Sequence, residues 1–68
     1  MRINGAALKA IRQRSGVSGT ALAESAGIKQ AHLSNIEAGR RQASPEVIAA
    51  LARALKLEDL TAILADPA

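Results

Sequence analysis

The chain has 68 residues and a net charge of +3, and it contains no cysteine and no Phe, Tyr or Trp. A chain of this length buries only about 60 % of its unfolded surface, which argues against a large catalytic cleft. Without cysteine it has no disulfides or thiolate metal sites, and no apolar run approaches the roughly 20 residues that span a bilayer. We therefore expect one domain over residues 1–68, not in a membrane, with a core of Leu, Ile, Val and Ala.

The charge is distributed unevenly along the chain. Residues 1–41 hold seven basic and two acidic residues, a net charge of +5, whereas residues 42–68 hold two basic and four acidic residues, a net charge of −2. A basic N-terminal part is what a polyanionic partner requires, and a solvated basic face would give the same pattern. The N-terminus carries no signal-peptide pattern, so we expect a cytoplasmic protein.

A first helix is predicted over residues 4–14. Asn4 is a good N-cap, and Ile3 before it can pack on Leu8 as a hydrophobic staple. Gly16 is expected to stop the helix.

A second helix is predicted over residues 18–26. Ser18 can cap its start, and Gly27 is expected to end it in the left-handed conformation. Free backbone N–H groups at Gly19 and Thr20, beside Ser18 and the positive end of the helix, form a ready phosphate site.

A third helix is predicted over residues 29–38, with Leu33 and Ile36 facing inward and Gly39 closing it. The chain must turn sharply at Gly27, between the second helix and the third. Two short helices joined in this way are a helix-turn-helix, in which the first crosses a DNA backbone and the second enters the major groove.

The outer face of the third helix carries the residues expected to read DNA bases, namely Gln30, Ala31, Ser34 and Asn35. The Gln30 amide can pair with N6 and N7 of adenine, a contact worth roughly 1 to 3 kcal/mol against a wrong base. Ser34 and Asn35 lie further along the helix and can reach another base pair or a phosphate. Ala31 offers a methyl group that suits contact with thymine.

Phosphate contacts are expected around the same helix, at Lys29, His32, Arg40 and Arg41. Lys29 either adds a charge beside the groove or is a frayed helix start. His32 is either a donor at the groove edge or a plain surface residue, because no partner stands at metal-ligand spacing and no nucleophile stands beside it. Two arginines in the loop after the helix would contact the DNA backbone, although such a pair can also be simply solvated.

Two more helices are predicted in the C-terminal part. Ser44, Pro45 and Glu46 are a well-formed helix start for a fourth helix over residues 45–56. A fifth short helix is predicted over residues 58–65. Leu60, Ile63 and Leu64 exceed what so small a core needs, so we expect some of them at a partner surface.

The segments LKAIRQRSGVS, LAESAGIKQAHLSNIEAGRR and SPEVIAALARALKL resemble the Cro/repressor-type (lambda-repressor-like, XRE-type) helix-turn-helix domains of phage and bacterial regulators. The resemblance covers about residues 3–64. It implies base contact by Gln30 and an ion pair between Arg12 and Glu37 that ties the first helix to the end of the third. The family usually has Gln where this chain has Gly19, so here a phosphate either comes closer to the main chain or is bound more weakly.

We therefore predict an all-α, five-helix, lambda-repressor-like DNA-binding domain that is not an enzyme and needs no cofactor, metal or small-molecule substrate. The predicted function is sequence-specific binding of double-stranded DNA as a transcriptional regulator, most simply a small Cro-like or immunity repressor in a bacterial or phage-infected cell. A homodimer would use the fifth helix and bind a pseudo-palindromic operator.

An alternative is a protein-binding module of the same fold, such as an antitoxin or an adaptor. The apolar fifth helix and the acidic C-terminal part motivate it.

Overall fold

Four α-helices follow one another between residues 2 and 65, the part of the chain that the computed structural model describes. They are α1 (Gly5–Arg14), α2 (Gly19–Ala26), α3 (Gln30–Glu37) and α4 (Pro45–Ala54). The predicted all-α fold is confirmed, and no helix in this part is long and apolar enough to cross a membrane. The ends of the predicted domain, residue 1 and residues 66–68, lie outside the described residues.

Side-chain caps determine where three of the helices begin. In each, a side-chain oxygen accepts a hydrogen bond from the backbone N–H three residues further on, at 3.1 to 3.2 Å, in the pairs Asn4 and Ala7, Ser18 and Ala21, and Ser44 and Val47. These caps are predicted from the sequence and are confirmed. Each satisfies a backbone donor that the helix itself leaves free, which is worth about 1 kcal/mol.

The fifth helix predicted over residues 58–65 is wrong. The chain forms only a four-residue 3-10 turn there, Leu60–Ile63, and Leu64 is already extended (φ −95°, ψ 147°). Asp59 starts the turn, because its Oδ1 accepts a hydrogen bond from the N–H of Thr61 at 3.0 Å. Hydrogen bonds from the backbone and side chain of Thr61 hold the pKa of Asp59 below its usual value. Apolar residues three apart share a face in either kind of helix, so their spacing did not distinguish them.

The fourth helix ends two residues earlier than predicted, at Ala54. Lys56 adopts a left-handed conformation with φ 57°. Its N–H donates to the carbonyl of Arg53 at 3.0 Å, and the N–H of Leu57 donates to the carbonyl of Ala52 at 2.9 Å. This is a Schellman motif, which usually has glycine at the left-handed position. Because the sequence has lysine there, no local signal marked the end of the helix.

The segment after α4 pairs with the N-terminal segment instead of forming a helix. Ile3 and Leu64 make an antiparallel β-bridge. Two hydrogen bonds flank it, from the N–H of Asn4 to the carbonyl of Ile63 at 2.8 Å and from the N–H of Ala65 to the carbonyl of Arg2 at 2.7 Å. The pairing closes the fold by joining the two ends of the described chain.

The core is aliphatic, as the composition predicts. Seven side chains are less than 2 % exposed: Leu8, Leu22, Leu33, Ile36, Ile48, Leu51 and Ile63. Every helix and the 3-10 turn contribute to this set, so the core holds all the elements together. Burying each such side chain contributes about 1.5 to 3 kcal/mol. No polar or charged residue between positions 2 and 65 is buried.

Gly5 lets the start of α1 lie directly against the end of α3. A Cβ at this position would overlap the carbonyl oxygen of Ile36 and come within 2.9 Å of the carbonyl oxygen of Glu37. Only glycine leaves room for so close an approach of two backbones. This contact fixes α3 against the rest of the fold, and no sequence motif indicates this role of Gly5.

Candidate nucleic-acid interface

The turn between α2 and α3 sets the direction of the third helix. Gly27 is left-handed with φ 72°, and the N–H of Ile28 donates to the carbonyl of Ala23 at 3.0 Å. Ala23 is 2 % exposed, so its small side chain is buried in the core. The predicted sharp turn is confirmed, and it leaves α3 with one side against the core and the other facing outward.

The two sides of α3 differ sharply in exposure. Leu33 and Ile36 are 1 % and 0 % exposed. Gln30, Ala31 and Ser34 are exposed. The inner residues therefore anchor the helix, and the outer face holds an amide, a methyl group and a hydroxyl that face solvent.

Asn35, the fourth predicted base-reading residue, is half-buried and organises the loop that follows α3. Its backbone carbonyl accepts hydrogen bonds from the N–H groups of Arg40 at 2.9 Å and Arg41 at 3.3 Å. Its Oδ1 lies 3.4 Å from Nη1 of Arg40. Asn35 therefore supports the arginine loop, through its backbone carbonyl and through its side-chain oxygen.

The arginine loop is also tied to the N-terminal segment. Oε1 of Gln42 accepts a hydrogen bond from the N–H of Ile3 at 3.1 Å. Arg40 and Arg41 are both exposed. Two contacts on either side of these arginines, through Asn35 and Gln42, thus hold a short basic segment beside the end of α3.

An ion pair joins α1 to the end of α3. Nε of Arg12 lies 2.7 Å from Oε2 of Glu37, and Nη2 lies 3.3 Å from Oε1. The third donor, Nη1, bonds the carbonyl of Val17 at 2.9 Å, just before α2. The two side chains are only 13 % and 10 % exposed. One guanidinium therefore fixes three elements relative to one another, through charge-assisted hydrogen bonds that are stronger than neutral ones.

The start of α2 presents free backbone donors. Ser18 Oγ accepts the hydrogen bond of Ala21 N–H, so this hydroxyl oxygen is already engaged as the cap. The first two residues of the helix, Gly19 and Thr20, have N–H groups with no acceptor within the helix. Thr20 is exposed and Gly19 is half-buried. Aligned peptide dipoles give this end of the helix a partial positive charge.

The start of α3 lacks a side-chain cap, as the sequence predicts. Lys29 occupies the cap position in an extended conformation and makes no capping hydrogen bond. Its side chain is exposed, whereas His32 is half-buried. No group of His, Cys, Asp or Glu side chains between residues 2 and 65 is arranged to hold a metal ion.

A polar cleft that no sequence motif indicates lies between α1, the start of α2 and α3. Its volume is about 280 Å³. It is lined by Lys9, Gly19, Gln30 and Ser34, together with Leu33 and the Arg12–Glu37 ion pair. We call it the α1–α3 cleft. It brings two of the predicted base-reading residues together with one of the predicted phosphate-contacting residues and with Lys9, which was not among them.

The fold and the outward face of α3 define a helix-turn-helix domain, and a comparison with protein families agrees. A family model described as a helix-turn-helix domain matches residues 5–63. The chain belongs to this family. The resemblance to Cro/repressor-type, XRE-type domains is confirmed by the solved structures to which the chain is similar.

Three solved structures illustrate the similarity. The clp gene regulator ClgR from Corynebacterium glutamicum is 35 % identical with a TM-score of 0.80, over 84 % of this chain and 60 % of that one. The restriction-modification controller protein C.AhdI from Aeromonas hydrophila is 29 % identical with a TM-score of 0.81, over 85 % and 86 % of the two chains. The controller protein C.Esp1396I, at 21 % identity and a TM-score of 0.77 over 85 % and 74 %, shares the fold.

This chain therefore spans less than two thirds of the ClgR structure but most of the C.AhdI structure. No match was found among curated protein sequences. The family and the two more similar structures support DNA-binding transcription regulation as the general function.

Proposed function

We propose that the protein is a sequence-specific regulator of transcription that binds double-stranded DNA by placing α3 in the major groove. The observation that carries this proposal is that one side of α3 is exposed and polar while the other is buried and apolar. Gln30, Ala31 and Ser34 are exposed, while Leu33 and Ile36 are buried. A major groove about 12 Å wide admits one α-helix, and an exposed amide and hydroxyl are groups that read base edges.

Base reading is assigned mainly to Gln30, at the first position of α3. N-terminal residues of a recognition helix are the ones that reach base edges, and a glutamine amide pairs with adenine through two hydrogen bonds. Ser34 lies one turn further along the same face, and the Ala31 methyl suits contact with a thymine methyl group. The Oδ1 of Asn35 already accepts a hydrogen bond from Arg40, so we assign Asn35 a smaller share.

Phosphate contacts are assigned to residues on either side of α3. The free N–H groups of Gly19 and Thr20 suit one phosphate, and Ser18 supports them as the cap of α2. Lys29 and His32 suit the strand beside the start of α3. Arg40 and Arg41 suit the strand beside its end, because their loop is held by Asn35. Such contacts set affinity and register, and they do not read sequence.

More specifically, the protein acts as a small repressor that occupies an operator as a homodimer. Leu60 and Leu64 remain half-buried in the segment after α4, and this segment is the surface we assign to the dimer in place of the fifth helix. A two-fold dimer presents two recognition helices about 34 Å apart to a pseudo-palindromic site. With about four phosphates neutralised per subunit, the slope of log affinity against log salt is about −7.

In this role the protein acts on DNA in the cytoplasm of a bacterial or phage-infected cell and catalyses no reaction. A second candidate is a protein-binding module of the same fold. The same half-buried leucines and the net charge of −2 over residues 42–68 favour it. In that case a protein partner covers the C-terminal segment, and α3 makes no base-specific contact.

The test is selection of binding sites from random duplexes, followed by a comparison of Gln30→Ala with Gln13→Ala. Gln13 is a matched control because its amide is exposed on α1 and makes no side-chain hydrogen bond to another described residue. We expect Gln30→Ala to lose roughly 1 to 3 kcal/mol of discrimination at one base pair of the selected site. Gln13→Ala should leave that preference intact. An unchanged preference in Gln30→Ala would favour the protein-binding module.

A further inference from the structure

We propose that Lys9, on α1, contacts a DNA phosphate through the α1–α3 cleft, which the absence of a side chain at Gly19 leaves open. The DNA interface would then include the first helix as well as the helix-turn-helix. This inference rests on the proposed function, because it adds a contact to the same DNA surface. Neither the sequence motifs nor the family resemblance assigned Lys9 a role.

Lys9 lies beside the exposed face of α3. Lys9 is exposed, and it lines the α1–α3 cleft together with Gln30 and Ser34. Those two residues lie on the exposed face of α3 that we assign to base reading. The ammonium group therefore shares an opening with that face, and DNA that approaches α3 also approaches Lys9.

Gly19 determines how open the cleft is. A Cβ at this position would have Nε2 of Gln30 as its nearest neighbour, at 3.9 Å, which is ordinary contact. A methyl group therefore fits, but a longer side chain would extend towards Gln30 and into the cleft. With glycine at position 19, no side chain on α2 separates Lys9 from the ligand that fills this space.

The charged residues that line the cleft leave one positive charge without a partner among them. Glu37 is the only acidic residue in its lining, and both carboxylate oxygens of Glu37 already bond Arg12. That pair is the only ion pair found between residues 2 and 65. The remaining charge of the lining is the single positive charge of Lys9, which has no carboxylate partner there. A free ammonium group beside a polyanion binds phosphate and releases a counterion.

A phosphate is the expected ligand because of what surrounds Lys9. Gly19, which lines the cleft, is the first residue of α2, where the aligned peptide dipoles leave a partial positive charge. Lysine is a compact point charge on a flexible stem, which suits a phosphate oxygen more than the fixed geometry of a base edge. Lys9 should therefore add affinity without adding sequence preference.

The first test compares Lys9→Gln with Lys56→Gln. Both residues are exposed lysines, and Lys56 lies after α4, outside the cleft. Binding to a selected duplex and to an unrelated duplex is measured across about 50 to 200 mM salt. For Lys9→Gln we expect the log–log slope to become shallower by about 0.9 per subunit and affinity at 0.1 M salt to fall about eightfold per subunit. Both duplexes should be affected equally.

Lys56→Gln should keep the slope of the unmodified protein. An unchanged slope in Lys9→Gln would overturn the inference, as would a change confined to the preference for one base pair. Equal thermal unfolding midpoints for the two variants exclude a folding defect as the cause. If Lys9→Gln has no effect while Gln30→Ala still alters base preference, only this inference fails. If the unmodified protein binds no duplex at low salt, the proposed function fails as well.

The second test concerns the open space beside Gly19. In a double-mutant cycle, Gly19→Gln places a side chain in the cleft and Lys9→Gln is measured in both backgrounds. We expect the loss of affinity from Lys9→Gln to shrink at least threefold when glutamine stands at position 19. Equal losses in the two backgrounds would show that Lys9 does not act through the cleft and would overturn its role there.

Discussion

The helix-turn-helix and the segment after α4 have a similar spacing of apolar residues but fold differently. In residues 18–39, apolar spacing, a serine cap and two glycines placed both helices within one residue of their observed ends. In residues 57–65, apolar spacing of similar strength predicted a helix where the chain forms a 3-10 turn and a β-bridge. Local signals determine the first region, and pairing between distant residues determines the second.

This difference also separates two kinds of role. The helix-turn-helix presents polar side chains on a rigid base, because α3 is held by a buried apolar face and by the Arg12–Glu37 pair. The C-terminal segment instead completes the core with Ile63, which is 0 % exposed. An apolar run near the end of a small domain can therefore be part of its core, even where it looks like a surface for a partner.

The largest effect is expected for Ile63→Ala. Removing a fully buried isoleucine costs about 2 to 5 kcal/mol, through lost burial and the cavity left behind. Leu60→Ala is the control, because Leu60 is only half-buried, and it should cost less than half as much. Chemical denaturation of both variants measures this. Similar small losses would mean that the C-terminal segment does not close the core.

Gly5→Ala should destabilise the helix-turn-helix end of the fold by about 2 to 3 kcal/mol, because the new Cβ would overlap the backbone of α3. Gly19→Ala is the matched control, since both glycines stand at the first position of a helix. A Cβ at Gly19 makes only ordinary contact, so Gly19→Ala should change stability by less than about 0.5 kcal/mol. Thermal unfolding compares the two, and equal midpoints would refute the close approach of α1 and α3.

The sequence could predict contacts within an element much better than contacts between elements. The caps at Ser18 and Ser44 can be predicted from the residues next to them. The burial of Leu33 and Ile36 and the exposure of Gln30 follow from helical periodicity. The pairing of Arg12 with Glu37 was implied by the family resemblance, because nothing local connects two residues so far apart in the chain.

Other features had no local signal. Gly5 is indistinguishable in sequence from any glycine near a helix start, and the close approach that requires it depends on where α3 lies. The cleft beside Lys9 exists only once α1, α2 and α3 are packed. The hydrogen bond from Arg40 to Asn35 likewise depends on how the loop folds back, so the periodicity of α3 predicts contact of Asn35 with a base or a phosphate but not its bond to Arg40.

Glu37→Gln probes the anchor of α3 with nearly unchanged shape. The Arg12 guanidinium would keep its position with a neutral partner, and we expect a loss of about 2 kcal/mol, as for a hydrogen bond to a charged group in a largely buried site. Glu24→Gln, at an exposed position on α2, should stay within about 0.5 kcal/mol of the unmodified protein. Urea denaturation measures both. No difference between them would mean that the ion pair contributes nothing to stability.

The smallest effect, and the only stabilising one, is expected for Lys56→Gly. Lys56 holds a left-handed φ of 57° in the Schellman motif after α4, and glycine adopts that conformation without steric cost. We expect a gain of about 0.5 to 1 kcal/mol, the range for removing such strain net of the added entropy of glycine. Ala49→Gly, in the middle of α4, should lose about 1 kcal/mol by contrast. A loss of stability in both variants would contradict the left-handed conformation of Lys56.

The central claim is that the exposed face of α3 is the surface that meets DNA. Titrating the ¹⁵N-labelled protein with a selected duplex and following each backbone amide by NMR tests it most directly. We predict the largest shifts at residues 30, 31 and 34 and at the start of α2, with little change at residues 57–64. Shifts concentrated at residues 57–64, with α3 unaffected, would contradict the account.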